Sequence, residues 1–280
     1  MSQPAPRKLD AFGLQLSTIT PVLLADFPGT LRTVAEIGYK QVEFSALGFL
    51  GREVAEVEAL LAENNLTAPV GRISPMMPPE FFRMDRAQQM KMFRERGGPD
   101  YVLENVRAGI PGARRLGQRD LVLPALMPQE FGSLDQVRRN IDLLRQAGEI
   151  CAEAGLRFGY HNHDWELKPI DGVVPWELMI EETDPQHVTF QLDAYWVVKG
   201  GGNLLEYLAR YPGRFSSCHM KDIDEAGDFA DVGDGTIDFP AFTRAALASG
   251  AQHFFVERDG PPDPLGSARR SFAYLSEMTF

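Results

Sequence analysis

The amino-acid sequence predicts an α/β fold in which parallel strands alternate with helices and close into a (β/α)₈ barrel. Three observations support this prediction. Short apolar or alternating runs occur eight times along the 280 residues, and each run is followed by a segment with helical periodicity. Dividing the length by eight gives about 35 residues per unit, close to what a strand–helix–strand repeat needs. Such a regular alternation favours a closed barrel over an open sheet, and we predict a single domain over residues 1–280.

The eight predicted strands are short runs of apolar residues or of alternating apolar and polar residues. In chain order they cover residues 12–16, 40–44, 66–73, 120–125, 156–161, 188–193, 215–221 and 253–257. Strand side chains alternate between two faces, so residues two positions apart point to the same side. We therefore expect His161 and His163, at the end of the fifth strand, to project together into the barrel.

Helix boundaries are marked by glycines at the carboxyl ends and by capping side chains at the amino ends. A helix over residues 29–37 is predicted to end at Gly38. A second helix begins after Ser133 and ends at Gly155, and a third opens at Asp238 and ends at Gly250. The second helix has apolar side chains near one face, at Leu134, Val137, Ile141, Leu144 and Cys151.

A long segment after the third strand, residues 74–119, interrupts the rhythm. It contains half of the ten methionines, at Met76, Met77, Met84, Met90 and Met92. One interpretation is an extra helix packed on the barrel rim with methionine as a filler. The other is a lid or a subunit contact, because long insertions in compact domains are often functional. A homodimer that uses this Met-rich insertion is one possible assembly.

Charge and composition exclude several classes of protein. The formal net charge of −11 at pH 7 disfavours nucleic acid or an anionic membrane as a partner, since both need clustered positive charge. No apolar stretch approaches the ~20 residues of a membrane-spanning helix, and the amino-terminal residues lack the apolar core of a secretory signal. We expect a cytoplasmic protein. Cys151 and Cys218 are too few for a disulfide framework or a cysteine-based zinc site.

Polar side chains gather where the predicted strands end, which is the active-site face of a (β/α)₈ barrel. These strand ends carry Glu43, the run 161–166 (HNHDWE), Asp193, the run 219–222 (HMKD) and the run 257–259 (ERD). Carboxylates and imidazoles from five strands therefore converge on one opening. A chance distribution would place polar residues at both ends of the barrel.

Four of these residues have the types and placement of a metal site, namely His161, Asp193, His219 and Glu257. Two imidazoles and two carboxylates suit one divalent ion such as Mn²⁺, Zn²⁺, Co²⁺ or Fe²⁺ better than Ca²⁺, which prefers oxygen ligands alone. A single histidine at a strand end is more often a hydrogen-bonded structural residue. The convergence of four candidate ligands favours the metal site over that alternative.

Aromatic side chains, including Trp165, Tyr195 and Trp196, lie beside these polar strand ends. They either pack the rim of the barrel or form a wall for the apolar face of a sugar ring. Trp196 fits the wall best, because it follows Asp193 by three residues in the same loop.

Six segments of the chain occur in the order found in a known family: GYKQVEF, AGLRFGYHNHDWE, QLDAYWVVKGGG, CHMKD, VGDGTIDF and FFVERDG. Together they resemble the sugar phosphate isomerase/epimerase group of the xylose isomerase-like TIM barrels, which is related to endonuclease IV and the ketose 3-epimerases. The resemblance covers nearly the whole chain and implies a TIM barrel. It also implies one divalent ion held by Glu, Asp, His and Glu at the ends of strands five to eight, and we keep Mg²⁺ among the possible ions.

Three departures from the family pattern bear on function. The last three family ligands have matches at Asp193, His219 and Glu257, but His161 stands where the family has its first glutamate. Arg72 stands where many relatives have a histidine, and Trp196 stands where ketose epimerases have one. The resemblance implies that those epimerases use paired glutamates on opposite faces of the substrate, and His161 removes that symmetry. The additional histidine ligands of a multi-zinc endonuclease have no match.

The leading hypothesis is a metal-dependent sugar isomerase or epimerase. The ion would polarise a carbonyl as a Lewis acid, and a side chain would move the neighbouring proton through an enediolate. The candidate catalytic residues are Glu43 or Glu257 as the base, His163 as the acid, and Lys199 or Lys221 as the cation that neutralises the enediolate oxygen. The candidate substrate-binding residues are Arg72, Trp165 and Trp196.

Two other functions stay open. The same enediolate can expel a β-substituent, which would make the protein a lyase or dehydratase of a keto-sugar, keto-glycoside or inosose. The histidine at position 161 favours this alternative. A non-catalytic barrel would bind a sugar without turnover, since a fold alone does not establish chemistry. The few basic residues near the opening favour a free sugar or glycoside over a sugar phosphate.

Overall fold

Eight parallel strands close into a barrel in the computed structural model, which describes residues 7–74, 80–81, 84–96 and 99–280. In chain order the strands are Gly13–Gln15 (β1), Gln41–Ser45 (β2), Val70–Arg72 (β3), Asp120–Leu123 (β4), Arg157–His161 (β5), Val188–Asp193 (β6), Phe215–Met220 (β7) and His253–Val256 (β10). Each strand pairs with the next one, and β10 pairs with β1. The predicted TIM barrel is confirmed, and every predicted strand overlaps an observed one.

Helices surround the barrel and connect its strands. They are Thr20–Ala25 (α1), Phe27–Ile37 (α2), Val54–Glu63 (α3), Arg86–Arg96 (α4), Val102–Leu116 (α5), Leu134–Glu153 (α6), Pro175–Glu181 (α7), Ala194–Lys199 (α8), Leu204–Arg210 (α9), Phe239–Ser249 (α10) and Pro264–Glu277 (α11). Within the described ranges, no helix combines the length and the apolar character of a bilayer-spanning segment.

The cap geometry confirms the helix limits predicted at Gly38, Ser133 and Asp238. Helix α2 begins at Phe27, two residues before its predicted start, because Asp26 is the residue that caps it. Gly38 ends α2 with a φ of 123°, in the region that favours glycine. The Ser133 side chain accepts a hydrogen bond from the Gln136 N–H at the start of α6. At the start of α10, the Asp238 carboxylate accepts one from the Ala241 N–H.

The barrel interior begins with an apolar layer. Val70, Val122 and Phe255 form a buried cluster that is separate from the main core between strands and helices. Gly13 leaves room for this layer, because a Cβ at that position would lie 2.5 Å from the Phe255 ring. This layer lies between a polar pair at the amino ends of the strands, Asp120 with Arg157, and the polar residues at the carboxyl ends, where the barrel is open. We call this open end the mouth.

Strand register brings the polar residues of the mouth to one level. His161 of β5 pairs with Gln191 of β6, and Asp193 of β6 pairs with His219 of β7. Because side chains on one strand alternate, Gln191 and Asp193 both face the interior, one above the other. The parallel register therefore places the imidazoles and carboxylates of neighbouring strands side by side.

A short antiparallel hairpin, which the sequence did not predict, follows β7 and consists of Asp222–Ile223 (β8) and Phe229–Ala230 (β9). The buried Asp222 carboxylate accepts hydrogen bonds from the backbone N–H groups of four residues, which are Ile223, Gly233, Gly235 and Ile237. Asp222 therefore fixes the loop that follows the hairpin, and the glycine-rich run at 233–235 is a structural turn.

The segment between β3 and β4 differs from its predicted organisation. It contains α5, which packs between α3 and α6 as the ordinary barrel helix of that position, so the additional material is limited to residues 74–101. Met84 and Met92 are partly buried in this material. Met76, Met77 and the side chain of Met90 lie outside the described residues.

Helix α5 approaches the barrel closely at its two glycines. A Cβ at Gly109 would lie 2.6 Å from Ile73 Cδ1, and one at Gly112 would lie 2.1 Å from the backbone oxygen of Ala46. Both glycines are buried and lie on the same face of the helix. The backbone oxygen of Ala46 cannot yield as a flexible side chain would, so the position of α5 depends on Gly112.

We expect Gly112→Ala to lower the free energy of unfolding by about 2 kcal/mol, because the added methyl group forces the helix away from β2. Urea denaturation followed by circular dichroism measures this change. Gly132→Ala is the matched control, since the one close contact of its Cβ would be the end of the flexible Gln136 side chain, and the backbone oxygen of Gln129 lies at an ordinary 3.9 Å. Equal stability of the two variants would contradict the close packing at Gly112.

Candidate active site

Four buried side chains meet at the mouth. They are His161 at the end of β5, Asp193 at the end of β6, His219 in β7 and Glu257 directly after β10. One potential ligand atom from each lies within 4.8 Å of the others. The His161 Nε2 and His219 Nδ1 atoms lie 3.6 Å and 3.7 Å from Asp193 Oδ2. The structure thus brings together the four residues predicted as metal ligands, which we call the ligand cluster.

The chemistry of the ligand cluster fits one divalent ion. Asp193 Oδ2 is buried and accepts no hydrogen bond from the described part of the chain. Burial raises the pKa of the Asp193 carboxyl, and the charge of Lys221 opposes that rise. A buried carboxylate oxygen without a donor is costly, and a cation between it and two imidazole nitrogens would compensate its charge. Two nitrogen and two oxygen donors suit Zn²⁺, Mn²⁺, Fe²⁺ or Co²⁺.

Glu43 lies deeper in the barrel than the ligand cluster and is fully buried. Its Oε2 is 2.8 Å from His219 Nε2, and its Oε1 accepts a hydrogen bond of 2.6 Å from Gln191 Nε2. Gln191 Nε2 also donates to Ser217 Oγ at 3.1 Å, and Gln191 Oε1 is 3.0 Å from His161 Nδ1. Both oxygens of Glu43 are thus engaged inside the barrel and not turned to the mouth.

The two imidazoles of the ligand cluster have opposite electrostatic surroundings. Burial lowers the pKa of His161 well below its usual value, and the neighbouring His219 and Arg72 lower it further. Burial acts on His219 in the same direction, but the carboxylates of Glu43 and Glu257 outweigh it and raise its pKa. His219 Nδ1 lies 2.8 Å from Glu257 Oε2. His219 therefore links two carboxylates, whereas His161 is neutral at pH 7.

Among the residues that the structure describes, the two cations beside the ligand cluster are held by carboxylates. Lys221 Nζ is 3.2 Å from Glu257 Oε2 and 3.0 Å from Asp259 Oδ1. Burial opposes the charge of Lys221, but these carboxylates outweigh it and hold its pKa above the usual range. Arg72 Nη1 lies 3.6 Å from Glu257 Oε1 and 3.7 Å from Glu43 Oε2. Lys221 and Arg72 therefore flank Glu257 as fixed positive charges.

An aromatic wall forms one side of the mouth. The His163 ring stacks on Trp165 with centroids 4.3 Å apart and an angle of 9° between the planes, and Trp196 lies 5.0 Å from His163. Lys221 Nζ is 5.3 Å from the Trp196 ring, and Trp165 Nε1 donates to the backbone oxygen of Leu126 at 3.1 Å. His163 Nδ1 and Trp196 Nε1 are buried without a partner in the described ranges.

Glu166 fixes the loop that carries this wall. Its Oε1 accepts a hydrogen bond of 2.6 Å from the Tyr160 hydroxyl, and its Oε2 accepts one of 2.9 Å from the His163 N–H. Glu166 is fully buried. Burial raises its pKa to about 8, although both hydrogen bonds favour the ionised form. The position of His163 therefore depends on a carboxyl group that is not itself at the mouth.

One predicted catalytic residue lies apart from the ligand cluster, and three neighbours of the cluster escaped prediction. Lys199 is exposed at the end of α8 and donates a hydrogen bond of 2.6 Å to the backbone oxygen of Gly227 in the hairpin.

Gln191 and Ser217 precede Asp193 and His219 by two residues, so strand alternation could have identified them. Ser17, whose Oγ is 3.3 Å from Glu257 Oε1, has no such signal in the sequence.

Comparisons with known proteins agree with this architecture. The family model described as xylose isomerase-like TIM barrel matches residues 31–278. A sugar phosphate isomerase/epimerase structure from Parabacteroides distasonis is 26% identical, with a TM-score of 0.78, covering 99% of this chain and 96% of that one. The apo structure of 3-keto-D-glucoside 4-epimerase from E. coli is 21% identical, with a TM-score of 0.67, covering 94% and 98%.

Among curated proteins, the inosose dehydratase of Geobacillus thermodenitrificans is 29% identical over 160 residues. The match includes 49% of this chain and 53% of the dehydratase. The chain thus spans about half the length of the curated relatives it matches.

We expect Glu166→Gln to change the pH dependence of stability. Between the ordinary carboxyl pKa of 4.5 and the folded value of about 8, the folded protein keeps a proton that the unfolded chain releases. The free energy of unfolding of the wild type therefore falls as pH rises through this window, by a few kcal/mol relative to the variant. Urea denaturation at pH 5 to 9 measures the difference.

The exposed Glu149→Gln is the control for this experiment. Wild type and variant share every other titrating group, so their difference isolates Glu166. A difference in stability that does not vary with pH would show that Glu166 is ionised throughout this range.

Proposed function

The chain belongs to the xylose isomerase-like TIM barrel family, and we propose that it is a divalent-metal-dependent enzyme that moves a proton beside the carbonyl of a sugar or polyol. The ligand cluster carries this proposal, because its four side chains lie within 4.8 Å of one another at the active-site end of the barrel. An isomerase or epimerase is the leading reaction class.

The proposed ligands of the ion are His161, Asp193, His219 and Glu257. When bound, such an ion supplies Lewis-acid polarisation of a substrate carbonyl, which acidifies the neighbouring C–H bond. The side chains above the ligand cluster supply the remaining chemistry.

Two groups of the chain face the mouth from opposite sides and are suited to proton transfer. His163 is held flat against Trp165, and its buried Nδ1 has no hydrogen-bond partner among the described residues. On the other side, Glu257 Oε1 is turned toward Ser17 and Arg72. We propose that His163 accepts the proton from the substrate carbon and returns it to the neighbouring carbon in an isomerisation. In an epimerisation, the Glu257 carboxylate would accept the proton from one face of the carbon, and His163, after taking up a proton from solvent, would deliver one to the opposite face.

Lys221 is the proposed electrostatic partner of the enediolate. Lys221 is 2% exposed, and its ammonium is fixed by Glu257 and Asp259, so it requires no reorganisation when negative charge develops on the substrate. Lys199 is exposed and hydrogen-bonded to Gly227 on the hairpin, which places it in a loop-positioning role. The aromatic rings of Trp165 and Trp196 provide an apolar surface for a sugar ring.

The charges of the mouth favour an uncharged sugar, glycoside or cyclitol over a sugar phosphate. In the described part of the chain, the two cations beside the ligand cluster are neutralised, Lys221 by Glu257 and Asp259, and Arg72 by Glu43 and Glu257. A phosphate dianion would have to displace one of these carboxylates. A neutral polyol needs only hydrogen bonds and the aromatic wall.

A lyase or dehydratase is the second candidate function. The similarity to inosose dehydratases supports it, as does His161 at a strand end where a carboxylate would provide a symmetrical acid–base pair. In that reaction the protonated His163 would deliver its proton to the departing hydroxyl oxygen instead of to carbon. Water loss and carbon reprotonation give different products from the same first step.

We expect Asp193→Asn and Glu257→Gln each to lower the affinity for Zn²⁺ by about tenfold or more, because each variant removes an anionic ligand. Equilibrium dialysis with elemental analysis of the purified proteins measures the effect. Asp228→Asn, in the exposed hairpin, is the control. Unchanged metal content in both cluster variants would contradict the assignment of the ligands.

We expect His163→Ala to retain the metal and to slow proton exchange at the substrate carbon by about 10²-fold or more. Deuterium incorporation from D₂O into ketoses, 3-keto-glycosides and inososes, followed by NMR, detects this step for isomerase, epimerase and lyase alike. His187→Ala, before the amino end of β6, is the control. If His163→Ala loses the metal, His163 is a metal ligand and His161 is not. If the wild type binds the metal but catalyses no deuterium incorporation, the protein is a non-catalytic barrel.

A further inference from the structure

Each imidazole of the ligand cluster has one nitrogen near Asp193 Oδ2 and the other held by a hydrogen bond deeper in the barrel. A ring nitrogen that binds a metal ion cannot carry a proton, so the partner of the opposite nitrogen decides which one is free. In this chain the two deeper partners belong to a single hydrogen-bond network. Glu43 is the residue that connects both partners, because one of its oxygens contacts His219 and the other accepts from Gln191.

The orientation of His219 depends on Glu43 directly. Glu43 Oε2 lies 2.8 Å from His219 Nε2. A carboxylate oxygen can only accept, so Nε2 must carry the hydrogen. Nδ1 faces the ligand cluster, 3.7 Å from Asp193 Oδ2 and 2.8 Å from Glu257 Oε2. Without an ion, Nδ1 also carries a hydrogen toward Glu257, and a metal ion bound at Nδ1 would take the place of that hydrogen.

The orientation of His161 depends on Glu43 through Gln191. Glu43 Oε1 can only accept, so the amide NH₂ of Gln191 must face it, at 2.6 Å. The amide oxygen of Gln191 then faces His161 Nδ1 at 3.0 Å and requires a hydrogen on that atom. His161 Nε2 is thereby left bare, and it is the atom 3.6 Å from Asp193 Oδ2.

We infer that Glu43 is a positioning residue that selects the metal-binding nitrogen of both histidines, His219 by direct contact and His161 through Gln191. The inference rests on the metal site of the proposed function and replaces the role of Glu43 as a catalytic base. Its burial supports the positioning role, because the side chain is 0% exposed and both oxygens are occupied within the barrel. Arg72 Nη1, 3.7 Å from Glu43 Oε2, helps to balance its charge.

Glu43→Gln tests the inference with almost no change of volume. A glutamine has one accepting oxygen for two donors, so its NH₂ group must face either His219 or Gln191. Either His219 then loses the hydrogen on Nε2, or Gln191 turns over and His161 loses the hydrogen on Nδ1. We expect about a 10–100-fold loss of Zn²⁺ affinity, the usual effect of changing a partner of a metal ligand.

A second variant separates the two branches of the network. Gln191→Met retains the contact between Glu43 and His219 but leaves His161 without its acceptor. Long-range ¹H–¹⁵N correlation spectra of ¹⁵N-histidine-labelled protein report which ring nitrogen carries hydrogen, with and without Zn²⁺. With Zn²⁺ bound, we expect the wild type to show hydrogen on Nδ1 of His161 and on Nε2 of His219, whereas without Zn²⁺ His219 carries hydrogen on both ring nitrogens. We expect Gln191→Met to change only the signals of His161.

Asp120→Asn is the matched control, since Asp120 is also a buried strand carboxylate, 2.8 Å from Arg157 at the amino end of β4. It should lower stability and leave Zn²⁺ affinity and both histidines unchanged. Wild-type affinity and wild-type ring signals in Glu43→Gln would overturn the inference while leaving the metal site intact. A wild type that binds no Zn²⁺ would overturn the metal site and the inference together.

Discussion

Compensation of buried carboxylate charge at one end of the barrel is the constraint on which the rest of the structure depends. Glu43, Asp193 and Glu257 are 0%, 0% and 5% exposed. Isolated buried carboxylates would each cost several kcal/mol, so the surrounding side chains must supply positive charge and donors. His219 and Lys221 do so at fixed distances, and Asp193 Oδ2 is the oxygen that they leave without a donor. The proposed metal position follows from this remaining oxygen.

Hydrogen bonds within the barrel fix the side chains that compensate the buried carboxylate charge. Asp193 is held on both sides, because its N–H donates to Asn162 Oδ1 at 2.9 Å and its Oδ1 accepts from the Trp196 N–H at 3.0 Å. The same two bonds fix the start of α8, so the aromatic wall and the ligand cluster share one framework. Glu166 fixes the other part of that wall through the His163 N–H. A change that moves Asp193 would therefore also move the aromatic wall that is proposed to bind the substrate.

Much of this arrangement could be predicted from the sequence because it follows from local periodicity. The regular spacing of the strands predicted the barrel, and the polar residues at the strand ends predicted the ligand cluster. The depth of Glu43 could not be predicted, since its distance from the end of β2 depends on the stagger between neighbouring strands. The hairpin of β8 and β9 was missed because two-residue strands leave no periodic pattern. The length of the insertion was overestimated because α5 contains Gly109, Pro111 and Gly112, residue types that disfavour a helix interior.

Anomalous X-ray diffraction from crystals soaked in Zn²⁺, recorded on both sides of the zinc absorption edge, tests the central claim most directly. We expect one strong peak bonded to His161 Nε2, Asp193 Oδ2, His219 Nδ1 and a carboxylate oxygen of Glu257. No peak within this group, or a peak bonded to Glu43, would contradict the claim that the buried cluster is a metal site supported from below by Glu43.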